Sequence, residues 1–342
     1  MVITIFSCEE VYTPEIDHME GQLVVESLIT NDTTRNYVHL TTTTSFYNRK
    51  TSEVVTGAKV SLIDVNGKIV PGVENTPGWF NFNVIPESGE KYLLQIIYNN
   101  HTYESDMVTM PPIPSIIDFY TGHTVVNGYF NDGYGNPVPY ELSGREIYVD
   151  VPLTAELSYY RFETRSVLQW SYLPPETGPP PPPPPPQVYG WTTYYGDEGF
   201  NIAGLKRYSQ SNVIDKQSLM ILPYEARQLL DPDSIPHGWI VILDLYGTSP
   251  DSYDFHEKLN SQFNASGTLF DPIETQIFGN IRCTTDTSRI VFGYFDLNSY
   301  SQYRYYLLFY SDSTDVIQRQ IFRYPYISDH GQNFGTPPDW WE

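Results

Sequence analysis

His256-Glu257 opens like the helical zinc-protease motif, in which two imidazoles one helical turn apart hold the metal and the glutamate serves as base. Asn260 stands where the second imidazole is required, so the metal would lack a ligand and the motif fails. His256 is then expected to be an ordinary residue of a helix surface. The remaining histidines, His18, His39, His101, His123, His237 and His330, show no ligand spacing. The turn Asn131-Asp132-Gly-Tyr-Gly-Asn136 offers oxygens to calcium, but its spacing departs from calcium loops and the same residues are good turn formers. No phosphate-binding glycine loop, nucleophile elbow or paired-cysteine zinc motif occurs. The expectation is a protein without a catalytic residue, metal or cofactor, and not an enzyme.

Chemistry of another kind is available to Cys8 and Cys283, the two cysteines of the chain. Cys8 follows Ile5-Phe6-Ser7, which resembles the lipobox ahead of an acylated cysteine. Residues 1–8 then read as the end of a signal peptide plus lipobox, and the acidic stretch 9–21 as a tether. The competing reading of Cys8 is a buried thiol in an amino-terminal strand. Cys283 reads as a thiol in a strand core.

The elements that must carry these residues are strands. Gln22 to Met110 shows short alternating runs: Phe80, Phe82 and Val84 share one face, and Tyr92, Leu94, Ile96 and Tyr98 another. Asn66-Gly67 between apolar runs is a hairpin signal, because both positions tolerate positive φ. Residues 22–110 are therefore expected to form an Ig-like or transthyretin-like β-sandwich, similar to carboxypeptidase-regulatory modules. The prolines of 111–116 mark a stiff linker. Residues 117–342 are expected to form a larger β-rich domain, with strands over His123–Phe130, Arg145–Val151 and Tyr159–Trp170. Pro152 should end one of these runs.

A loop over 174–187 interrupts that second domain. Its eight prolines, 179–186, favour a polyproline II rod and cannot donate to a sheet. It reads either as a docking segment for an aromatic groove or as a solvated insertion. One helix is clear. Ser249 suits the N-cap, Pro250 the first position and Asp251 the dipole. Phe255, Leu259 and Phe263 mark its expected buried face. A second short helix is expected near Tyr224 to Leu230.

The net charge is −22 over 342 residues, which disfavours nucleic acid and anionic lipid surfaces. No apolar run reaches the length of a membrane-spanning helix. Tyrosine is frequent, at 29 residues, and aromatic and Arg side chains are common interface anchors. Tyr303, Arg304, Tyr305, Tyr306, Trp340 and Trp341 are the candidate partner-binding residues, although in a strand Tyr303 and Tyr305 would occupy one face and Arg304 and Tyr306 the other.

Gly267 to Asn298, with Gln22-Leu-Val-Val-Glu-Ser-Leu-Ile-Thr-Asn31, Tyr159-Tyr-Arg-Phe162 and Cys8, resembles a Bacteroidota lipoprotein family known as domain of unknown function 4249. The resemblance implies a protein lipid-anchored to the outer membrane and facing the cell exterior. It implies a β-barrel partner, a TonB-dependent SusC-like transporter, for which the protein is an accessory or ligand-capturing subunit; the ligand, small molecule or peptide, is unspecified. The alternative is a structural subunit of an outer-membrane biogenesis or secretion complex. Relatives carry further cysteines near the carboxy terminus; this chain has none there, so no disulfide is carried over to Cys283.

Overall fold

The computed structural model describes residues 21–44, 52–131, 134–172, 188–196, 200–205, 211–223, 235–264 and 276–307. Cys8, Trp340, Trp341, the proline run, Asp132 and the expected helix near Tyr224 lie outside them. The described chain is mostly β, as its alternating patterns require, with one α-helix among the described residues.

Residues 23–109 form ten strands: β1 (Leu23–Ile29), β2 (Tyr37–Thr42), β3 (Glu53–Val54), β4 (Lys59–Asp64), β5 (Ile69–Pro71), β6 (Val73–Thr76), β7 (Trp79–Asn81), β8 (Lys91–Tyr98), β9 (His101–Ser105) and β10 (Val108–Thr109). Asn66-Gly67 turns β4 into β5, with Gly67 at φ +79 and the Asp64 carboxylate accepting from the backbone N–H groups of Asn66 and Lys68. Asn99 and Asn100, both left-handed, turn β8 into β9. The two expected faces point inward, with Phe80, Phe82, Leu94 and Ile96 fully buried.

The next strands are β11 (Asp118–Asn131), β12 (Pro137–Pro152), β13 (Tyr159–Tyr172), β14 (Val188–Tyr195), β15 (Asn201–Gly204), β16 (Val213–Pro223) and β17 (Ile235–Gly247). The helix α1 (Pro250–Phe263) follows, then β18 (Ile281–Cys283), β19 (Val291–Leu297) and β20 (Ser299–Leu307). The sheet β11-β12-β16 packs on the sheet β14-β13-β17-β20, to which β15 adds beside β13. Their shared core holds Val149, Phe162, Trp170, Leu243 and Tyr305.

The first sandwich packs the sheet β19-β1-β2-β7-β6 on the sheet β18-β9-β8-β4-β5. Residues 22–110 thus share their two sheets with strands from beyond residue 280. β19 lies parallel to β1, Leu23 opposite Val291 and Ile29 opposite Leu297. β18 pairs with β9 and carries Cys283, free and buried, into the first core. The chain then runs from β19 through Asn298 directly into β20, so one extended stretch threads both sandwiches. The prolines after Met110 lie along it: Ser299 Oγ donates to the Pro112 carbonyl and Ser301 Oγ to that of Pro114.

Glycine is required where β19 meets β1. Gly293 has φ +90, and a Cβ there would lie 1.8 Å from the Val25 carbonyl oxygen; a Cβ on Gly279 would lie 1.6 Å from that of Gly293.

Among the described residues β16 pairs with β12 as far as Gly144 opposite Pro223, where the described part of β16 ends, and β11 is paired with β12 out to Asn131 opposite Pro137. In the outer half of this hairpin Val125 is 43% and Tyr134 93% exposed.

Helix α1 starts as expected: Ser249 Oγ accepts from the Ser252 N–H, and Pro250 and Asp251 fill the first turn. Its buried face differs. Ser252, Tyr253 and His256 point inward, while Phe263 is 61% exposed. His256, expected on the surface, is 7% exposed. The helix docks on a buried carboxylate and the rings of Tyr159 and Phe200, so its inward face follows polar partners and not the aromatic spacing.

Candidate functional site

Side chains at every second position of β13, β17 and β20 face away from the second core. In register they form rows: Arg161, Tyr246 and Tyr300; Glu163, Asp244 and Gln302; Arg165, Ile242 and Arg304; Val167, Ile240 and Tyr306. The first two rows carry a connected network of polar contacts.

Asp244 is the hub, 1% exposed in the run Trp239–Tyr246, which is otherwise apolar. Its Oδ1 accepts from Tyr300 OH at 2.6 Å, Gln302 Nε2 at 2.9 Å and Arg35 Nη2 at 2.9 Å, and its Oδ2 from Arg165. Burial alone would push this carboxyl up. The hydrogen bonds from Gln302 and Tyr300 and the charges of Arg165 and Arg35 outweigh burial and hold it below its ordinary value.

Arg35 comes from the turn between β1 and β2, so this hub joins the sandwiches. Its guanidinium also donates to Tyr246 OH at 3.0 Å and lies 4.1 Å from the Tyr300 ring centroid. Beside it, the Asn31 amide takes the Tyr300 N–H at 2.6 Å and donates to the Tyr300 carbonyl at 3.1 Å, as a neighbouring strand would.

A second hub is Asp296 of β19. It accepts from Arg161 Nη1 of β13 at 2.9 Å and from Ser252 Oγ of α1 at 2.6 Å. Burial works against the Arg161 charge, but Asp296 and Glu163 more than compensate, and its pKa is raised. The Arg161 guanidinium stacks 4.4 Å from the Tyr246 ring centroid. Two carboxylates and three arginines thus tie β13 and β17 to β19, α1 and the β1–β2 turn.

Ser252, His256 and Asp296 are the residue types of a hydrolytic triad, but their bonds are not those of one. A triad needs the serine hydroxyl on the imidazole and the carboxylate on its other nitrogen. Here Ser252 Oγ donates to the carboxylate itself. His256 Nδ1 lies 2.9 Å from the Ser252 carbonyl, which only accepts, so Nδ1 carries the proton. Its Nε2 stands 3.7 Å from Asp296 Oδ2, beyond hydrogen-bond reach. Burial lowers the His256 pKa and keeps the ring neutral. The serine proton is committed to a carboxylate already paired with Arg161, so the group is organised to hold elements together.

The candidate partner residues of β20 divide between its faces. Tyr305 is buried in the second core, 5.3 Å from the Phe119 ring, and Tyr303 reaches the Pro114 carbonyl at 3.3 Å. Tyr306 packs in a small apolar cluster on the outer face. Arg304 alone of the four is exposed. The reading of sequence spacing missed Asp244, Arg161, Arg165, Arg35 and Asp296. Their signal was a charge inside an apolar strand run, as in Trp239-Ile-Val-Ile-Leu-Asp244-Leu-Tyr246 and Phe292-Gly-Tyr-Phe-Asp296-Leu297, where it must be paired if buried.

Comparison with curated proteins and with solved structures gives no match. A family model matches residues 9–304, which take in both hubs and all of both sandwiches except the last three described residues of β20. The chain belongs to the family described as Domain of unknown function (DUF4249).

Proposed function

We propose that this protein is a lipid-anchored subunit of the outer membrane, held at Cys8 and facing the cell exterior. It serves there as an accessory or ligand-capturing partner of a TonB-dependent, SusC-like transporter. One observation supports the anchor. The family match begins at residue 9, directly after Cys8. No helix among the described residues is long and apolar enough to cross a membrane.

The observation that carries the partner is the outer half of the β11–β12 hairpin. Among the described residues it pairs with no third strand, and Val125 and Tyr134 are exposed there, a surface that strand addition or aromatic anchoring would cover. The proposed role is binding and not catalysis, because the Ser252 hydroxyl and the His256 imidazole are engaged in bonds that a nucleophile and its base must keep open.

Tagged protein extracted in mild detergent should bring down an outer-membrane β-barrel protein. Replacing residues 126–142 with Asn-Gly, which closes the hairpin between Val125 and Ser143, should lose that partner without changing the melting temperature. Equal recovery with the shortened hairpin would place the contact elsewhere. Recovery of envelope-assembly or secretion proteins in its place would support the structural-subunit reading. Cys8→Ala, expressed with its signal peptide, should leave the membrane fraction; retention after a high-salt wash would contradict the anchor.

A further inference from the structure

The first sandwich holds a cavity of about 200 Å³ where the β4–β5 turn meets the segment leading into β8. Pockets for drug-sized ligands run to roughly 300–1,000 Å³, so this one suits a single side chain. Its floor is apolar: Leu62 and Tyr92 belong to the buried core, and Val70 and Val84 pack against that core. Ile85 stands on the lip, 63% exposed. The rim is acidic, with Asp64, Glu87 and Glu90 set against a single cation, Lys68. The Asp64 carboxylate accepts from the Asn66 and Lys68 N–H groups. Glu87 and Glu90 are exposed, and their carboxylates have no hydrogen bond or ion pair among the described residues. Tyr92 adds a second demand. It is 9% exposed, and its hydroxyl accepts from the Glu87 N–H at 2.9 Å but donates to no described group. A buried hydroxyl needs an acceptor for its proton. The occupant that satisfies this cavity therefore combines an aliphatic body, a positive charge and a hydrogen-bond acceptor.

We propose that this cavity takes the lysine or arginine side chain of a peptide. The aliphatic stem lies on Leu62, Val70 and Val84, as such stems do on apolar surface. The cationic head meets Glu87 and Glu90, and a peptide carbonyl takes the Tyr92 proton. An acidic ligand would meet an excess of negative charge. A hydrocarbon would leave the Tyr92 proton and both glutamates without partners. A bare alkylammonium supplies the charge and the stem but no acceptor. The cavity belongs to the first sandwich and the β11–β12 hairpin to the second, so the site stands or falls separately from the proposed transporter contact.

The test is a methyl NMR titration of the full chain, read at Leu62, Val70, Val84 and Ile85, with an acetylated and amidated Gly-Lys-Gly tripeptide as the probe. A saturable shift of these methyls is the expected result, with the norleucine peptide weaker by at least about tenfold, or about 1.4 kcal/mol. Glu87→Gln combined with Glu90→Gln should weaken the lysine peptide by about tenfold at an unchanged melting temperature, because both side chains are exposed. Glu53→Gln combined with Glu156→Gln removes the same charge from exposed positions outside the cavity and should leave the affinity unchanged, since salt screens distant charges. The proposal is overturned by the absence of a saturable shift at these methyls, by equal binding of the norleucine peptide, or by equal weakening in the two double variants. Binding of n-butylammonium as tight as that of the peptide would overturn the assignment to a peptide.

Discussion

Asp244 and Ile242 lie two residues apart on β17, on the same face and both fully buried, yet their surroundings differ in kind. Asp244 is fixed by four donors, two of them arginines, and its contacts reach into the first sandwich. Ile242 packs, among the described residues, with apolar neighbours of its own sheet. The polar half of the face is directional and depends on charge, so it specifies how the two sandwiches meet. The apolar half is non-directional and carries no such register. A buried ion cluster is a poor source of net stability compared with apolar packing, but removing one member leaves the others charged and unpaired.

That contrast predicts the largest effect for Asp244→Ala, which strands Arg35 and Arg165. The expected loss is about 3–5 kcal/mol, read as a fall in the urea midpoint; a change below about 1 kcal/mol would mean the arginines find other partners. Ile242→Val removes one methylene from the apolar half. It should cost about 0.5–1.5 kcal/mol, and the cost should be the same at low and high salt. A salt-dependent cost there would break the distinction between the halves.

Acid should act on the polar half first at His256. Burial lowers its pKa from the ordinary 6.5, so the unfolded chain takes up the proton before the folded one. The stability carried by the neutral ring is present above pH 6.5 and is lost as pH falls from there through the folded value. Asp244, also lowered, contributes stability that is present above its ordinary 3.8 and lost as pH falls below it. Unfolding free energy should therefore decline in two separate windows, and His256→Gln should shrink the upper one, to which His237, also lowered by burial, contributes; an upper decline unchanged in that variant would assign it to His237 alone. The smallest effect is expected for Arg304→Ala, exposed in the row between the halves, within about 0.5 kcal/mol by chemical denaturation.

Local features were legible in the sequence because they rest on local physics. Asn66-Gly67 turns where left-handed backbone is needed, Ser249 caps where the first amides are free, and alternating aromatics face the core. The pairing of β1 with β19 was not legible. Two apolar strands carry no record of which distant strand they meet, and the reading of 22–110 considered only partners within that stretch. The burial of His256 was missed for a related reason. Helical spacing locates a face but not what lies opposite, and the Arg161–Asp296 pair opposite belongs to strands 135 positions apart. The Tyr303–Tyr306 run shows the limit of composition: an aromatic-rich strand looks like an interface, but half of such a strand must fill the core beneath it.

The central claim is that the β19–β20 stretch and the two carboxylate hubs make both sandwiches one cooperative unit. Differential scanning calorimetry of the full chain tests it most directly. The account predicts a single transition with a calorimetric enthalpy equal to the van't Hoff enthalpy. Two resolved transitions, or a calorimetric enthalpy well above the van't Hoff value, would contradict it.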